Sequence, residues 1–376
     1  VKQSIRRAVR NGKRRVLRRL ARARKLKDAG RPVFSGRGVK YEVARRVQAT
    51  SCGGIGAAHQ VVLQSGLVER IDSGLDVLKA HRPYHESDHV LNVAYNALCG
   101  GQTLDDIELR RNDEAFLDAL GAPAIPDPTT AGDFCRRFDE EDVESLMDII
   151  NETRLAVWSR QGPAFVAQTA RIDADGTDVA TTGECKEGMA LSHKGNWGYH
   201  PLLVSLANTA EPLFIVNRSG NKVSHDGASA YMDKAIDLCR RAGFDDVLLR
   251  GDTDFSLTRE FDGWNDRGVR FVFGYDAFKN LKRRADSLEQ AEYHRLVRKA
   301  EQAFSGKRRT RPKRFKEEVV RAKGYKNIKL RSEDVAEFDY KPTRADGTYR
   351  MVVVRKNLSI EKGDQALFDD IRYFFY

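Results

Sequence analysis

The sequence predicts an α/β protein. A mixed sheet flanked by helices should occupy its second half, preceded by an all-helical segment and a strongly basic N-terminal arm. Three observations predict this. Apolar residues recur mainly at helical spacing from about residue 39 to residue 159. After Gln161-Gly162-Pro163 the pattern turns to β-branched alternation, and three strand-like runs precede a helix, a strand, a helix and a strand. The net charge of +11 is uneven, sitting in two basic blocks on a body that is close to neutral.

The arm is the first block. Residues 1–27, "VKQSIRRAVRNGKRRVLRRLARARKLK", contain no acid. Ile5, Val9, Val16, Leu17 and Leu20 among the arginines allow a basic helix that orders on a polyanion. The candidate phosphate contacts here are Arg6, Arg7, Arg10, Lys13, Arg14, Arg15, Arg18 and Arg19. The second block, residues 306–331, adds Lys307, Arg308, Arg309 and Arg311. A solvated helix face or a disordered tail is the plainer reading of either block.

The helical segment spans residues 31–165. Gly53-Gly54-Ile55-Gly56 precedes "AAHQVVLQSGLVERI", which Gly66 divides into two short helices. No strand precedes that glycine cluster and no Lys-Ser/Thr follows it, so it is helix punctuation and not a phosphate loop. His85-Glu86-Ser87-Asp88-His89 fits the H-E-x-x-H pattern in which two histidines one turn apart hold zinc. Pro83 stands just before it and no third ligand follows in suitable context, so these residues should cap and pack a helix start. Pro126 and Pro128 close a loop, after which Thr130 and Asp133 stand at capping-box spacing ahead of a long helix. Phe134, Phe138, Val143, Leu146, Ile149 and Ile150 should give that region its buried stripe.

The sheet follows in residues 166–376. "FVAQTARIDADGTDVATTG", "YHPLLVSLAN" and "PLFIVNRSGN" read as strands. A helix carries Ala228, Met232, Ala235, Cys239 and Ala242, and "DDVLLRGDTDF" is a short apolar strand ending in acids. Two late runs, "YRMVVVRK" and "IRYFFY", should return to the sheet, making residues 277–339 an inserted basic segment.

Composition narrows the class of function. With 376 residues, 41% hydrophobic and 32% charged, the chain has length for two or three domains with cores of their own. No apolar run approaches a membrane span and no signal peptide is legible at the start. Five scattered cysteines read as reduced thiols of a cytoplasmic protein, which leaves the acceptor patterns at Asn151 and Asn217 without meaning. The Arg250-Gly251-Asp252 tripeptide follows a buried strand and is not an adhesion loop.

The chemistry-bearing acids lie at strand ends, Asp173 and Asp175 in "RIDADGTDV" and Asp252 and Asp254 in "LLRGDTDF". Strand ends meet at a common edge of an α/β sheet, where carboxylates share a hard divalent cation suited to phosphoryl transfer. Turn capping is the plainer role for any one of them.

Six stretches in order carry a resemblance: "PYHESDHVLNVAYNALCGGQTLDDIELRRND", "IPDPTTAGDFCRRF", "DADGTD", "KGNWGYHPLLVSLANT", "NRSGN" and "LLRGDTDF". With them nearly the whole chain resembles a bacterial insertion-sequence transposase of the DDE class. The resemblance implies an RNase H-like core. It also implies Mg²⁺ as cofactor, with Mn²⁺ able to replace it, held by Asp175 and Asp252. Asp175 is the implied first acid with Asp173 as its competitor, and Asp252 is the second. The partner implied is double-stranded DNA, both transposon ends and target, bound by a homodimer or larger assembly in the nucleoid, with no membrane involved. The family's third acid, a glutamate, has no counterpart: Glu361 comes too early, and the sequence reaches Tyr376 without such a stretch. The catalytic domain is therefore expected to be incomplete at its C-terminus. A non-catalytic, DNA-binding repressor derived from a transposase is the alternative, and a plain RNase H-like nuclease a third reading.

Overall fold

The structure, a computed structural model, describes residues 10–14, 16–17, 49–79, 83–182, 186–296, 329–359 and 370–376. It divides into two compact units, one of Val1–Gln64 with Leu75–Phe138 and one of Ser65–Gly74 with Asp139–Tyr376.

The helices before the sheet are α1 (Ile55–Ser65), α2 (Leu67–Gly74), α3 (Glu86–Leu98), α4 (Ile107–Arg111), α5 (Glu114–Leu120), α6 (Pro128–Cys135), α7 (Glu140–Trp158) and α8 (Pro163–Val166). Gly66 parts α1 from α2 with a φ of +72°, a left-handed backbone that glycine adopts without Cβ strain. The H-E-x-x-H stretch opens α3 as a capped and packed helix start. Asp88 Oδ2 accepts the His85 backbone N–H at 2.9 Å, and the fully buried Glu86 accepts the Leu78 N–H at 3.1 Å. His89 stacks on Phe134 with ring centroids 4.5 Å apart, and burial lowers its pKa.

The caps downstream differ from the spacing argument. Asp127, not Thr130, caps α6, accepting the Thr130 N–H at 2.8 Å, because Pro128 starts the helix one residue later with its ready-made φ. The long helix α7 begins separately at a capping box of Asp139 and Asp142.

The second unit is built on a five-stranded sheet ordered β6-β5-β1-β7-β8. Its strands are β1 (Ala170–Gly176), β5 (Leu202–Leu206), β6 (Glu211–Val216), β7 (Val247–Gly251) and β8 (Arg270–Phe273). β1 pairs antiparallel with β5 and parallel with β7, so the sheet is mixed as expected. One face is wholly apolar: Ala170, Ile172, Leu202, Val204, Leu206, Val247 and Leu249 are all fully buried. Helix α9 (Ala228–Arg241) packs into that core with Ala228, Met232, Ala235 and Cys239, four of the five positions read from the sequence, and with Ile236; the fifth, Ala242, is its C-cap. Each large apolar side chain so buried contributes about 1.5–3 kcal/mol. Trp158, Met147 and Leu155 of α7 join the same core, which is why α7 belongs to this unit although the helical spacing continues into it. Helix α10 (Phe261–Asp266) adds Phe261 and Trp264.

Between β1 and β5 the chain forms a three-stranded arm of β2 (Val179–Ala180), β3 (Ala190–Leu191) and β4 (Trp197–Tyr199), with β4 in the middle. The run read as one strand through "DADGTDVATTG" therefore breaks after Gly176. Gly198 is required here, since a Cβ on it would stand 2.1 Å from the Val179 carbonyl oxygen.

The late strands do not rejoin the first sheet. β9 (His294–Arg295), β10 (Lys329–Tyr340), β11 (Tyr349–Ser359) and β12 (Asp370–Phe375) form a separate sheet ordered β12-β11-β10-β9. Its own apolar face, Ala336, Phe338, Met351, Val353 and Phe375, closes with Leu281 and Ala285 of α11 (Lys279–Ser287) and with Tyr293. That independent core explains the separation. Of the segment 277–339, α11 exposes Lys279, Lys282, Arg283 and Arg284, while β10 is an inner strand of this second sheet. Lys307, Arg308, Arg309 and Arg311 lie outside the described residues.

Candidate active site

Parallel pairing sets the geometry of the edge. β1 and β7 run side by side with Ile172 opposite Leu249 and Asp173 opposite Arg250. Two residues further along each chain come Asp175, at the end of β1, and Asp252, just after β7. Both acids thus emerge at the same edge of adjacent strands. Asp252 is the N-cap of a 3₁₀ turn, Thr253–Phe255, and its Oδ1 accepts the Asp254 N–H at 3.0 Å. Desolvation raises the Asp252 pKa, opposed by that backbone hydrogen bond and reinforced by the negative charges of Asp254 and Asp175.

Asp173 shares the sheet face of Asp175, as the two-residue period of a strand requires, but it is occupied. Arg250 donates to it through Nε at 2.7 Å and Nη2 at 2.8 Å. That pairing raises the Arg250 pKa. No ion pair among the described residues engages Asp175 or Asp252. Asp175 and Asp252 thus bring negative charge to this edge that no described ion pair neutralises, while Arg250 is engaged by Asp173. Two such carboxylates suit a hard divalent ion, which takes few carboxylates and fills its remaining positions with water and phosphate oxygens. Among the described residues no three His, Cys, Asp or Glu side chains converge as a complete metal site.

Of the residues that surround the pair, the sequence marked only Asp254. His200, ahead of β5, is buried, with Nδ1 2.8 Å from Asp178 Oδ1. Hydrogen bonding from Lys194 and His200 holds the Asp178 carboxyl below its usual range, so the ionised Asp178 accepts the Nδ1 proton. On the other side of the ring, Nε2 lies 3.4 Å from Ser224 Oγ, which donates to Asp254 Oδ2 at 2.9 Å. Arg218 ties the two loops, donating through Nε to the His200 carbonyl and through Nη1 to the Ser224 carbonyl, each at 3.0 Å. His200 and Arg218 lie in stretches that carry the resemblance, but neither periodicity nor spacing marks them; a histidine directly before Pro201 at a strand entrance is the one local signal.

Beside Asp254 a groove of about 320 Å³ opens, lined by His225, Thr253, Thr258, Arg259, Asp276 and Arg344. A cavity of about 410 Å³ in the helical unit is larger, but the acid lining it, Asp88, is spent on the helix cap. Of the sequence-derived DNA contacts, Arg10, Lys13 and Arg14 are helical and exposed; Arg6, Arg7, Arg15, Arg18 and Arg19 lie outside the described residues.

No helix among the described residues is long and apolar enough to cross a membrane. No curated protein matches the sequence. Among solved structures, the chain is similar to the piggyBac transposase in a cryo-EM synaptic complex with hairpin DNA, at 10% identity and a TM-score of 0.37. The similarity covers 84% of this chain and 60% of that one, so the chain spans less than two thirds of that transposase's length. Residues 37–357 match the family model described as transposase DDE domain group 1, and with a match over most of its length the chain belongs to the DDE transposases.

Proposed function

We propose that this chain cuts and joins DNA at the ends of an insertion sequence, with Asp175 and Asp252 as its catalytic acids. One observation carries the reading: the parallel register of β1 and β7 brings these two carboxylates to one edge, where burial chiefly raises the Asp252 carboxyl and the charge of Asp175 adds a smaller push. Asp173 is the weaker candidate for first acid because Arg250 occupies both its oxygens. A bound divalent ion, Mg²⁺ or Mn²⁺ in its place, supplies charge neutralisation and a more acidic water or 3′-OH at the phosphate. The protein's own part is positioning. Asp175 and Asp252 would hold the ion, and Arg259 and Arg344 of the adjoining groove would face the DNA backbone.

The domain assignment proposed alongside is an arm of residues 1–30, a DNA-binding helical module that ends before α7, and a catalytic domain that takes in α7 and the sheet up to residue 376, with a basic segment at 277–339. The arm and the basic segment contact phosphates, and base readout falls to the helical module. The working form is a homodimer or larger assembly on DNA, in the cytoplasm and associated with the nucleoid. A second reading, a DNA-binding repressor without catalysis, is favoured by the lack of a third converging acid among the described residues.

Incubating the protein with a supercoiled plasmid that carries the element's own ends, in Mg²⁺ or Mn²⁺, separates these readings. Nicking and end joining that disappear in Asp175→Asn and Asp252→Asn support the transposase. Binding without cutting in either ion supports the repressor, and cutting without joining points to a plain nuclease.

A further inference from the structure

We infer that His200 is a positioning residue of the catalytic edge: clamped by Asp178, it braces Ser224, and through Ser224 the turn on which Asp252 sits. The inference rests on the assignment of Asp175 and Asp252 as the metal-holding acids, and adds a support to them.

Four segments meet at this ring. Asp178 follows β1, His200 precedes β5, Ser224 lies in the loop before α9, and Asp254 follows β7. Distances run 2.8 Å from Asp178 Oδ1 to Nδ1, 3.4 Å from Nε2 to Ser224 Oγ, and 2.9 Å from Ser224 Oγ to Asp254 Oδ2. The last link reaches Asp252 directly, because the Asp254 backbone N–H donates to Asp252 Oδ1 at 3.0 Å. The ring is 4% exposed, so its contact with Asp178 is not replaced by water at low cost.

Gly176 is the second observation. A Cβ on it would stand 2.5 Å from His200 Nε2 and 3.3 Å from the Ser224 Cβ. Only an absent side chain lets the imidazole pack against the backbone directly after Asp175. The ring therefore touches the β1 side of the edge by packing and reaches the β7 side through its 3.4 Å contact with Ser224 Oγ, whose hydroxyl donates to Asp254. Arg218 closes the arrangement by donating to the carbonyls of both His200 and Ser224. Removing the ring frees the Asp254 end of the turn, and Asp252 loses its fixed distance from Asp175 while neither acid is altered.

Two readouts test this. The first is Mn²⁺ affinity of the full chain by calorimetry. His200→Ala should weaken it about tenfold, the scale on which outer supports of metal ligands act. Ser224→Ala should shift it in the same direction. His200→Gln, whose amide reaches the Nε2 position, should recover part of the loss, and His200→Asn, which reaches only the Nδ1 position, should not. The second is hydrogen exchange in the metal-free protein, where Thr253–Phe255 should exchange faster in His200→Ala and Ser224→Ala than in wild type. If His200→Ala does not fold, Ser224→Ala and His200→Gln carry the test. Asp175→Asn and Asp252→Asn run in parallel as controls on the underlying assignment. If those two leave Mn²⁺ binding intact, the metal site itself is misassigned. If they abolish it while folded His200 and Ser224 variants bind Mn²⁺ and protect the turn like wild type, the positioning role is overturned.

Discussion

Asp173 and Arg250 stand opposite each other in the parallel register of β1 and β7, joined by a fork of two hydrogen bonds at 2.7 and 2.8 Å. The pair spends the first acid of the "DADGTD" stretch on structure and leaves Asp175 at the edge. Both side chains are about 40% exposed, so solvent screens the pair and it stabilises by no more than about 1 kcal/mol. Asp173→Asn should therefore lower the urea midpoint only slightly and keep plasmid nicking within a few-fold, while Asp175→Asn abolishes nicking. An Asp173→Asn protein as inactive as Asp175→Asn would reverse the assignment.

Asp252 should make the metal-free protein less stable as pH rises. Its folded pKa is raised, so between the ordinary carboxylate pKa and that raised value the folded state binds more protons than the unfolded one. The linkage slope is then negative, and stability is lost across that window and stays lost at neutral pH. Asp252→Asn should accordingly melt higher than wild type at pH 7 without metal, with the gain fading as pH drops below the ordinary carboxylate range. Adding Mn²⁺ should raise the wild-type melting temperature and leave that of Asp252→Asn unmoved. A variant that melts lower than wild type at pH 7 contradicts the sign.

The H-E-x-x-H stretch should behave as packing. Glu86 is fully buried and accepts the Leu78 N–H, so Glu86→Ala leaves that donor without its carboxylate partner and should cost about 1–3 kcal/mol in chemical denaturation. Dialysis against a zinc chelator should change neither protein. A chelator-dependent midpoint would restore the zinc-peptidase reading.

Deleting residues 1–27 should weaken binding to DNA of any sequence and flatten the dependence of log K on log salt, because the segment carries its lysines and arginines without an acid. Titration of labelled duplexes at several salt concentrations measures this, and an unchanged slope removes the arm from DNA binding.

By itself the sequence determined what local patterning controls. The period of 3.6 in α9, the apolar strands β1, β5 and β7, the glycine break at Gly66 and the acids at strand ends were all legible, because each follows from which neighbours along the chain must be buried together. The ordered stretches around Asp175 and Asp252 were enough for the family. Only the tertiary structure decided what depends on partners far away in sequence. Arg250 neutralises Asp173 from 77 residues away. Met147, Leu155 and Trp158 draw α7 to the sheet core, and β10, β11 and β12 close a core of their own instead of rejoining the first sheet. His200 meets Ser224 and Asp178 only after β1 and β5 have paired and brought their flanking loops together. Periodicity records which face of an element is buried, whereas the pairing of charges and rings is set by register and packing between elements that the chain brings together only on folding.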